Sequence, residues 1–571
     1  MKKISLKING KTISAESGKT ILDVAMENGI DIPYLCYHPD IKNKQRCEIS
    51  MVEINGSKGL KSACDLAEDG MEIVTDSAEI REERLKNLNL ILKKHHLECD
   101  DCVFFRRCKL LELVSKFKAK PIAEQDELLQ VLQSGSIVFD QTKCIGCENC
   151  IDVCPVNFLS LDKNKRISLS LDEKKNCTNC GQCILHCPVG AIEGAGEFEE
   201  LASLFTKTKS KVMVVQFAPA VRTSIGEEFG MKPGEIATGK LVAGLKKLGF
   251  NYVFDTATGA DFTTMEESDE LVERIQKKER LPAMSSCCPA WVVFLEFNYP
   301  EFISNLCTSR SPQTMLGGII KNYWAKTKNI DPKNVYVVSV MPCVAKKFEI
   351  QREELKIDGF SPVDCVLTTR ELARLFKSKG IDLNNIKKEE ADDPLGFPSG
   401  AGVIYGTSGG VFESAFRTAY FKMTGKELPQ DAVKEIRGIE GLKIKEIKVG
   451  NISLKVCVAN GLQNAKKVLE ELKGNPQKYD AIEVMACPGG CVGGGGQLMP
   501  SNREIIKKRS KSLYSIDQQK EIKTAHNNPA VKKIYSEFFT GEKIRKKILH
   551  TNFSPRRKTE IKKLNNSKES V

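Results

Sequence analysis

The sequence predicts a multidomain α/β protein in which small cysteine-bearing modules precede one large α/β domain. Three observations lead there. The chain has 571 residues, enough for several domains and a large core. From Lys211 onward, short apolar runs such as VMVVQFAP, NVYVVSVMP and YDAIEVMAC alternate with helical segments, the pattern of largely buried strands. The 22 cysteines fall mostly into groups at metal-ligand spacing.

Apolar residues at 41% and charged residues at 28% fit a globular chain, and no stretch approaches 18 apolar residues, so no membrane span is expected. The N-terminus, MKKISLKINGKTI, lacks the apolar core of a signal peptide, which points to the cytoplasm. Thiols stay reduced there, so grouped cysteines argue for metal before disulfide. The formal charge of +12 is spread along the chain except in the tail, SPRRKTEIKKLNNSKES, which reads as disordered. Nucleic acid is therefore not an expected partner. Thiolate-bound clusters would remove roughly eight positive units, leaving a mildly basic surface suited to an acidic redox protein.

Residues 1–80 begin with alternation at Ile4, Leu6 and Ile8 and the hairpin signal Asn9-Gly10. Thr20 can cap a helix whose apolar face is Ile21, Val24 and Ala25, closed by Gly29. Strand, turn, strand, helix and a cysteine loop (Cys36, Cys47, Cys64) resemble a plant-type, β-grasp 2Fe–2S ferredoxin. That family has a fourth cysteine three positions after the second, where this chain has Ser50. A serine oxygen is a harder donor than thiolate, so the expectation is a labile or altered centre, or no cluster at all.

Residues 81–125 hold His95, Cys99, Cys102 and Cys108. On spacing alone, one histidine and three cysteines read as a zinc site before an iron–sulfur site. Residues 126–205 carry C-x2-C-x2-C-x3-C-P twice, at Cys144, Cys147, Cys150, Cys154 and at Cys177, Cys180, Cys183, Cys187. In this two-cluster run the fourth cysteine of each motif serves the other cluster. One 4Fe–4S cube thus falls to Cys144, Cys147, Cys150 and Cys187, the other to Cys177, Cys180, Cys183 and Cys154. Beyond the polar stretch 197–211, the cysteines Cys343, Cys487 and Cys491 fall at strand ends, where α/β proteins place ligands.

Residues 206–553 also contain SSCCPAW at 285, MPCVAKKFE at 341 and MACPGGCVGGGGQ at 485. These three stretches, their order and the upstream modules resemble the iron-only (FeFe) hydrogenases over nearly the whole chain, leaving 554–571 as the basic tail. The resemblance implies reversible combination of two protons and two electrons to H2. It implies an H-cluster: a 4Fe–4S cube on Cys288, Cys343, Cys487 and Cys491, with Cys491 bridging to a two-iron unit that carries CO, cyanide and an amine dithiolate. It also implies a 4Fe–4S cluster on the His95 set in place of zinc. Three further 4Fe–4S clusters and one 2Fe–2S cluster would then accompany the H-cluster. The expected partners are ferredoxin or flavodoxin and, for the two-iron unit, maturation proteins. A phosphate-cradling loop is the rival reading of GGCVGGGG, but no Lys-Ser/Thr follows it.

The same resemblance makes Cys287 a proton-relay thiol, continued by Glu267, Glu270 and Arg274 of MEESDELVER, whose spacing puts them on one helix face. On spacing alone that face would be a solvated one. Cys307 stands where the family's relay serine is expected. Lys346 matches the lysine that binds a cyanide, and Met341 and Met485 fit the apolar packing around it. Ala220, Val344, Ala345 and Pro488 replace polar pocket residues of other members, which implies a divergent subgroup. Cys365 and Cys457, within apolar strands, read as inert core thiols. An H2-sensing relative and a pure electron-transfer subunit are the competing readings.

Overall fold

The computed structural model describes residues 2–41, 46–95, 99, 102, 108–120, 129–196, 201, 211–429, 432–439, 441–449 and 452–564. The polar stretch after the second ferredoxin motif, residues 96–98 and 100–101, and residues 565–571 therefore lie largely or wholly outside the described residues.

At the N-terminus, strands Lys3–Ile8 and Lys11–Glu16 form an antiparallel hairpin. Asn9 and Gly10 turn it with φ of 51° and 79°, as a two-residue hairpin turn requires. Helix Ile21–Glu27 starts at Thr20, whose side chain accepts from the Asp23 N–H while Asp23 reaches back, a capping box. Strand Glu72–Val74 runs parallel to Lys3–Ile8 in a five-stranded sheet. Two helices, Ala78–Leu92 and Lys109–Phe117, form the next module.

The module with the doubled cysteine motif pairs Val131–Ser134 with Ile137–Asp140, and Ile192–Gly194 pairs with the latter. The tail corrects an expectation. Residues 554–564 are ordered, and Ile561–Leu564 adds an antiparallel strand to Val131–Ser134. The lysines and arginines that suggested disorder are anchored: Arg556 Nε donates to Glu296 Oε2 at 2.9 Å and Lys558 Nζ to the Asp172 carbonyl at 2.9 Å. Strand pairing uses backbone groups, so an open sheet edge can order a polar segment.

The large domain has two four-stranded sheets. One is all parallel, in the order Tyr252–Asp255, Val212–Phe217, Val335–Met341, Cys365–Thr368. The other runs Ala283–Met284, Ala481–Met485, Ile452–Asn460, Leu442–Val449, with only the last strand antiparallel. Buried aliphatic side chains fill these strands, and the long helix Thr256–Lys277 buries most of its length beside them. Among the described residues no helix is long and apolar enough to cross a membrane.

Candidate active site and cluster sites

Four strand ends, two from each sheet, converge on one cavity. Val212–Phe217 leads to Ala218 and Pro219, and Val335–Met341 ends in Met341, Pro342 and Cys343. Ala283–Met284 leads to Cys287 and Cys288, and Ala481–Met485 to Met485, Ala486 and Cys487. Cys491 enters on the glycine loop that follows. The carboxyl ends of strands are where such sheets open a crevice.

The adjacent cysteines have different surroundings. Cys288 is the N-cap residue of helix Pro289–Asn298; burial pushes its thiol up, although the N–H groups of Ala486, Trp291 and Ala290 and the Lys346 charge oppose that push. Cys287 is held well above the ordinary thiol range by burial and by the nearby Glu267 carboxyl. Burial also raises Cys343 and Cys487, and pushes Cys491 up to about 12. Lys346 is the one cation among the described lining residues. Its Nζ donates to the Cys287 carbonyl at 3.2 Å and pairs with Glu349 at 2.9 Å. Four thiols lining one apolar cavity, each neutral without metal, suit an iron–sulfur centre, whose positive charge would ionise them.

Behind Cys287 lies helix Thr256–Lys277. Glu267, Glu270 and Arg274 are only 4%, 8% and 1% exposed, so this is a buried charged face, not a solvated one. Burial, with the Glu270 charge nearby, pushes the Glu267 carboxyl up to about 8, against the hydrogen bonds from Ser309 and the Ser286 N–H. Ser309 Oγ donates to Glu267 Oε1 at 3.3 Å. Cys307 is buried, its thiol raised by burial and by Glu270 and Glu267. Arg274 donates to Glu270 and to the carbonyls of Asn305, Leu306 and Arg280.

The upstream sites also assemble. Cys144, Cys147, Cys150 and Cys187 line one pocket of about 320 Å³. Cys183 is raised by burial and by its neighbours Cys180, Cys177, Cys150 and Cys154. Crossed motif sharing therefore agrees with proximity. His95 Nδ1 donates to the Lys143 carbonyl at 2.8 Å, which puts the ring lone pair on Nε2, as in a ligating histidine. Cys108 lies near Cys102 and Cys99. In the first module Cys36 and Cys47 share a hydrogen bond, while Ser50 Oγ lies 3.3 Å from Cys64 Sγ. The three sulfurs and one hydroxyl thus lie in two close pairs, and their chemistry is that of a 2Fe–2S donor set with one hard ligand.

The cavity loop docks on the second ferredoxin motif. Gln182 Nε2 donates to the Gly493 carbonyl at 3.1 Å, and Cys487 Sγ lies 3.9 Å from the Cys180 carbonyl. A Cβ at Gly495 would fall 2.3 Å from the Cys180 carbonyl oxygen. This glycine is required by the backbone packed against it.

The comparisons with known proteins agree with this geometry. Residues 211–495 match the family model "Iron only hydrogenase large subunit, C-terminal domain". The subunit HndD of the NADP-reducing hydrogenase of Solidesulfovibrio fructosivorans is 38% identical over 98% of this chain and all of its own. The chain belongs to the iron-only hydrogenases. Iron hydrogenase 1 of Clostridium pasteurianum is 39% identical over 96% of this chain and 99% of its own length. A cysteine-to-histidine variant of the apo [FeFe]-hydrogenase HydA1 of Chlamydomonas reinhardtii superposes with a TM-score of 0.57 at 38% identity, over 63% of this chain and 99% of that one. Further models match a 2Fe–2S iron–sulfur cluster binding domain at 1–78, a 4Fe–4S dicluster domain at 143–191 and an iron hydrogenase small subunit at 503–556.

Several positions expected from this hydrogenase family to shape the pocket lie beside it. Ala220, Val344, Ala345 and Pro488 are absent from the cavity lining. Ala220 is buried behind it among Ala257, Val403 and Leu513, and Val344 packs into the ferredoxin core. Met341 and Met485 do line it. Sequence reading missed Glu349, three residues after Lys346, where helical spacing was the available signal. It also missed Thr308, Ser309 and His550, whose pairing spans about 240 residues and leaves no local signal.

Proposed function

We propose that this iron-only hydrogenase works through Cys288, Cys343, Cys487 and Cys491 as cube ligands, Cys491 as the bridge and Cys287 as the proton carrier. The observation that carries this reading is that all five cysteines and Lys346 line one cavity, with a buried carboxyl behind Cys287. When bound, the H-cluster supplies the redox-active iron at which two protons and two electrons combine to H2. The chain's own residues do the rest. Lys346 holds a positive charge against Cys287 and Glu349, ready to bind an anionic ligand. The apolar walls from Met341 and Met485 limit water. Cys287 exchanges protons with Glu267, whose affinity near neutrality suits a carrier working in both directions. Arg274 fixes Glu270 and, having no exchangeable lone pair, positions rather than carries. The Cys487–Cys180 contact makes the second ferredoxin cube the first electron stop, with the other 4Fe–4S sites and the N-terminal centre beyond it.

Ferredoxin or flavodoxin is the proposed electron partner, and maturation proteins the source of the two-iron unit. A second reading takes this chain as one subunit of a larger enzyme. It is supported by the match along the full length of a subunit of an NADP-reducing hydrogenase. The first experiment is an infrared spectrum of anaerobic protein produced with maturation proteins, followed by an H2 assay with reduced ferredoxin and, separately, with NADP+. CO and cyanide bands without H2 turnover would point to a sensor. No bands on a full set of cubes would overturn the ligand assignment. NADP+ reduction only after addition of a partner subunit would favour the second reading.

A further inference from the structure

The inner relay leads to a buried dead end unless something beyond Glu270 reaches water. Both carboxylate oxygens of Glu270 are engaged: one by Arg274, the other by the Thr308 N–H at 2.8 Å and its hydroxyl at 3.2 Å. Arg274 has no lone pair free to accept a proton and is locked onto three backbone carbonyls, so it offers no onward path. The Thr308 hydroxyl does. It also lies 2.8 Å from His550 Nδ1, and its single hydrogen has two acceptors to choose between.

His550 is placed there by backbone pairing. It follows helix Glu542–Leu549 and forms an isolated antiparallel bridge with Ser309. The Arg310 N–H donates to the Leu549 carbonyl and the Thr551 N–H to the Thr308 carbonyl, each at 2.8 Å. His550 Nε2 lies 2.7 Å from Glu266 Oε2, and its side chain is 21% exposed. Burial would raise Glu266, but His550, Tyr535 and Arg545 outweigh it and keep the carboxyl below its usual range. An ionised Glu266 accepts the Nε2 hydrogen and leaves the Nδ1 lone pair facing Thr308.

We infer that Thr308 and His550 form the outer leg of the proton path, with Glu266 as the group that sets the histidine's tautomer. The inference rests on the proposed relay through Cys287, Glu267 and Glu270. Outward, the Glu270 carboxyl O–H breaks as its proton passes to Thr308 Oγ1, and the Thr308 hydroxyl proton forms the His550 Nδ1–H bond. Glu270 is then a carboxylate, and His550 an imidazolium paired with Glu266. When the Thr308 contact opens, the partly exposed ring gives its Nδ1 proton to water and regains the starting tautomer. No electron moves, and the inward direction is the reverse.

The test compares Thr308→Val, Thr308→Ser, His550→Gln, His550→Ala and Glu270→Gln in protein carrying the H-cluster, with infrared bands checked against wild type. T308V and H550Q should each lose at least tenfold in H2 oxidation and evolution, with an altered pH profile. T308S should retain activity, and added imidazole should restore part of it to H550A. The charged and titratable groups around this ring, Glu266, Arg310, Arg545, Tyr535 and Glu270, remain in the Thr308 and His550 variants. A second readout is independent of turnover. The ¹⁵N imidazole spectrum of histidine-labelled protein should show His550 as the Nε2–H tautomer, with its Nδ1 resonance shifted by T308V. Wild-type rates and pH profiles in T308V and H550Q, with E270Q inactive, would overturn the outer leg and leave the inner relay standing. Full activity in E270Q would remove the inner relay instead.

Discussion

Replacing Glu267 by Gln separates the cost of this carboxyl from its use. Burial pushes the Glu267 pKa up to about 8, from an ordinary 4.5. Below pH 4.5 the group is neutral in both folded and unfolded chains and contributes nothing. Between 4.5 and 8 the unfolded chain loses the proton and the folded one keeps it, so stability falls by about 1.4 kcal/mol per pH unit. The loss is roughly 3 kcal/mol at pH 7 and levels off at about 5 kcal/mol above pH 8. Glutamine does not titrate, so E267Q escapes this slope, whatever constant offset its amide adds. With an unfolding entropy of about 2.1 cal/mol/K per residue over a catalytic domain of roughly 350 residues, the variant should gain about 5 °C in Tm relative to wild type between pH 5 and pH 8. The assay is thermal unfolding of protein with cubes but no two-iron unit, so that turnover plays no part. With the full H-cluster, the same variant should lose about 10²–10⁴-fold in turnover in both directions. Parallel Tm curves for the two proteins across this range would refute the assignment of a buried, neutral carboxyl.

Three other outcomes are expected. Cys287→Ala should abolish measurable turnover while its infrared bands persist, whereas Cys307→Ser should keep or raise turnover, because a hydroxyl hydrogen-bonds more strongly than a thiol at that buried position; full activity in C287A would end the thiol's role. Ser50→Cys, beside Cys64, should raise both iron content and the potential of the N-terminal centre, read by iron analysis and a redox-titrated paramagnetic signal. Gly495→Ala puts a methyl 2.3 Å from the Cys180 carbonyl and should force the domains apart, lowering ferredoxin-linked rates at least tenfold while dye-linked rates at the H-cluster fall less.

Much of the cluster chemistry was legible because it is written in local spacing. The doubled C-x2-C-x2-C-x3-C-P runs specify which cysteines meet, and the chain brings Cys187 to Cys144 and Cys154 to Cys183 as that pattern requires. Helical spacing likewise put Glu267, Glu270 and Arg274 on one face. It could not say whether that face meets water, because the cover comes from Leu306–Ser309 and from a segment around His550. Val344 shows the same limit: a residue next to a ligand was read as pocket, but the turn after Cys343 aims it at the ferredoxin core. The tail was misread for a related reason. Composition reports the side chains of Ile561–Leu564, while its order comes from an unpaired edge more than 400 residues away in sequence.

Two of these places, the cover over Glu270 and the tail, lie in the C-terminal segment, and this says something about how the enzyme is held together. Arg509 Nη1 donates to the Val492 carbonyl at 3.1 Å, bracing the loop that carries Cys491. Further on, Asn528 Nδ2 donates to Asp261 Oδ2 at 2.7 Å, gripping the helix that carries Glu267. His550 then meets Thr308, and Ile561–Leu564 joins the sheet beside the two ferredoxin cubes. One continuous strap therefore touches the Cys491 loop, helix Thr256–Lys277, Thr308 and the sheet of Val131–Ser134 in that order. In the proposed function, electrons and protons leave the cavity through different walls, at Cys487 and at Cys287. Each electron moved without its proton would leave an unbalanced charge in a water-poor site, which is costly. A strap that fixes both walls to one another would keep the two proposed paths aligned.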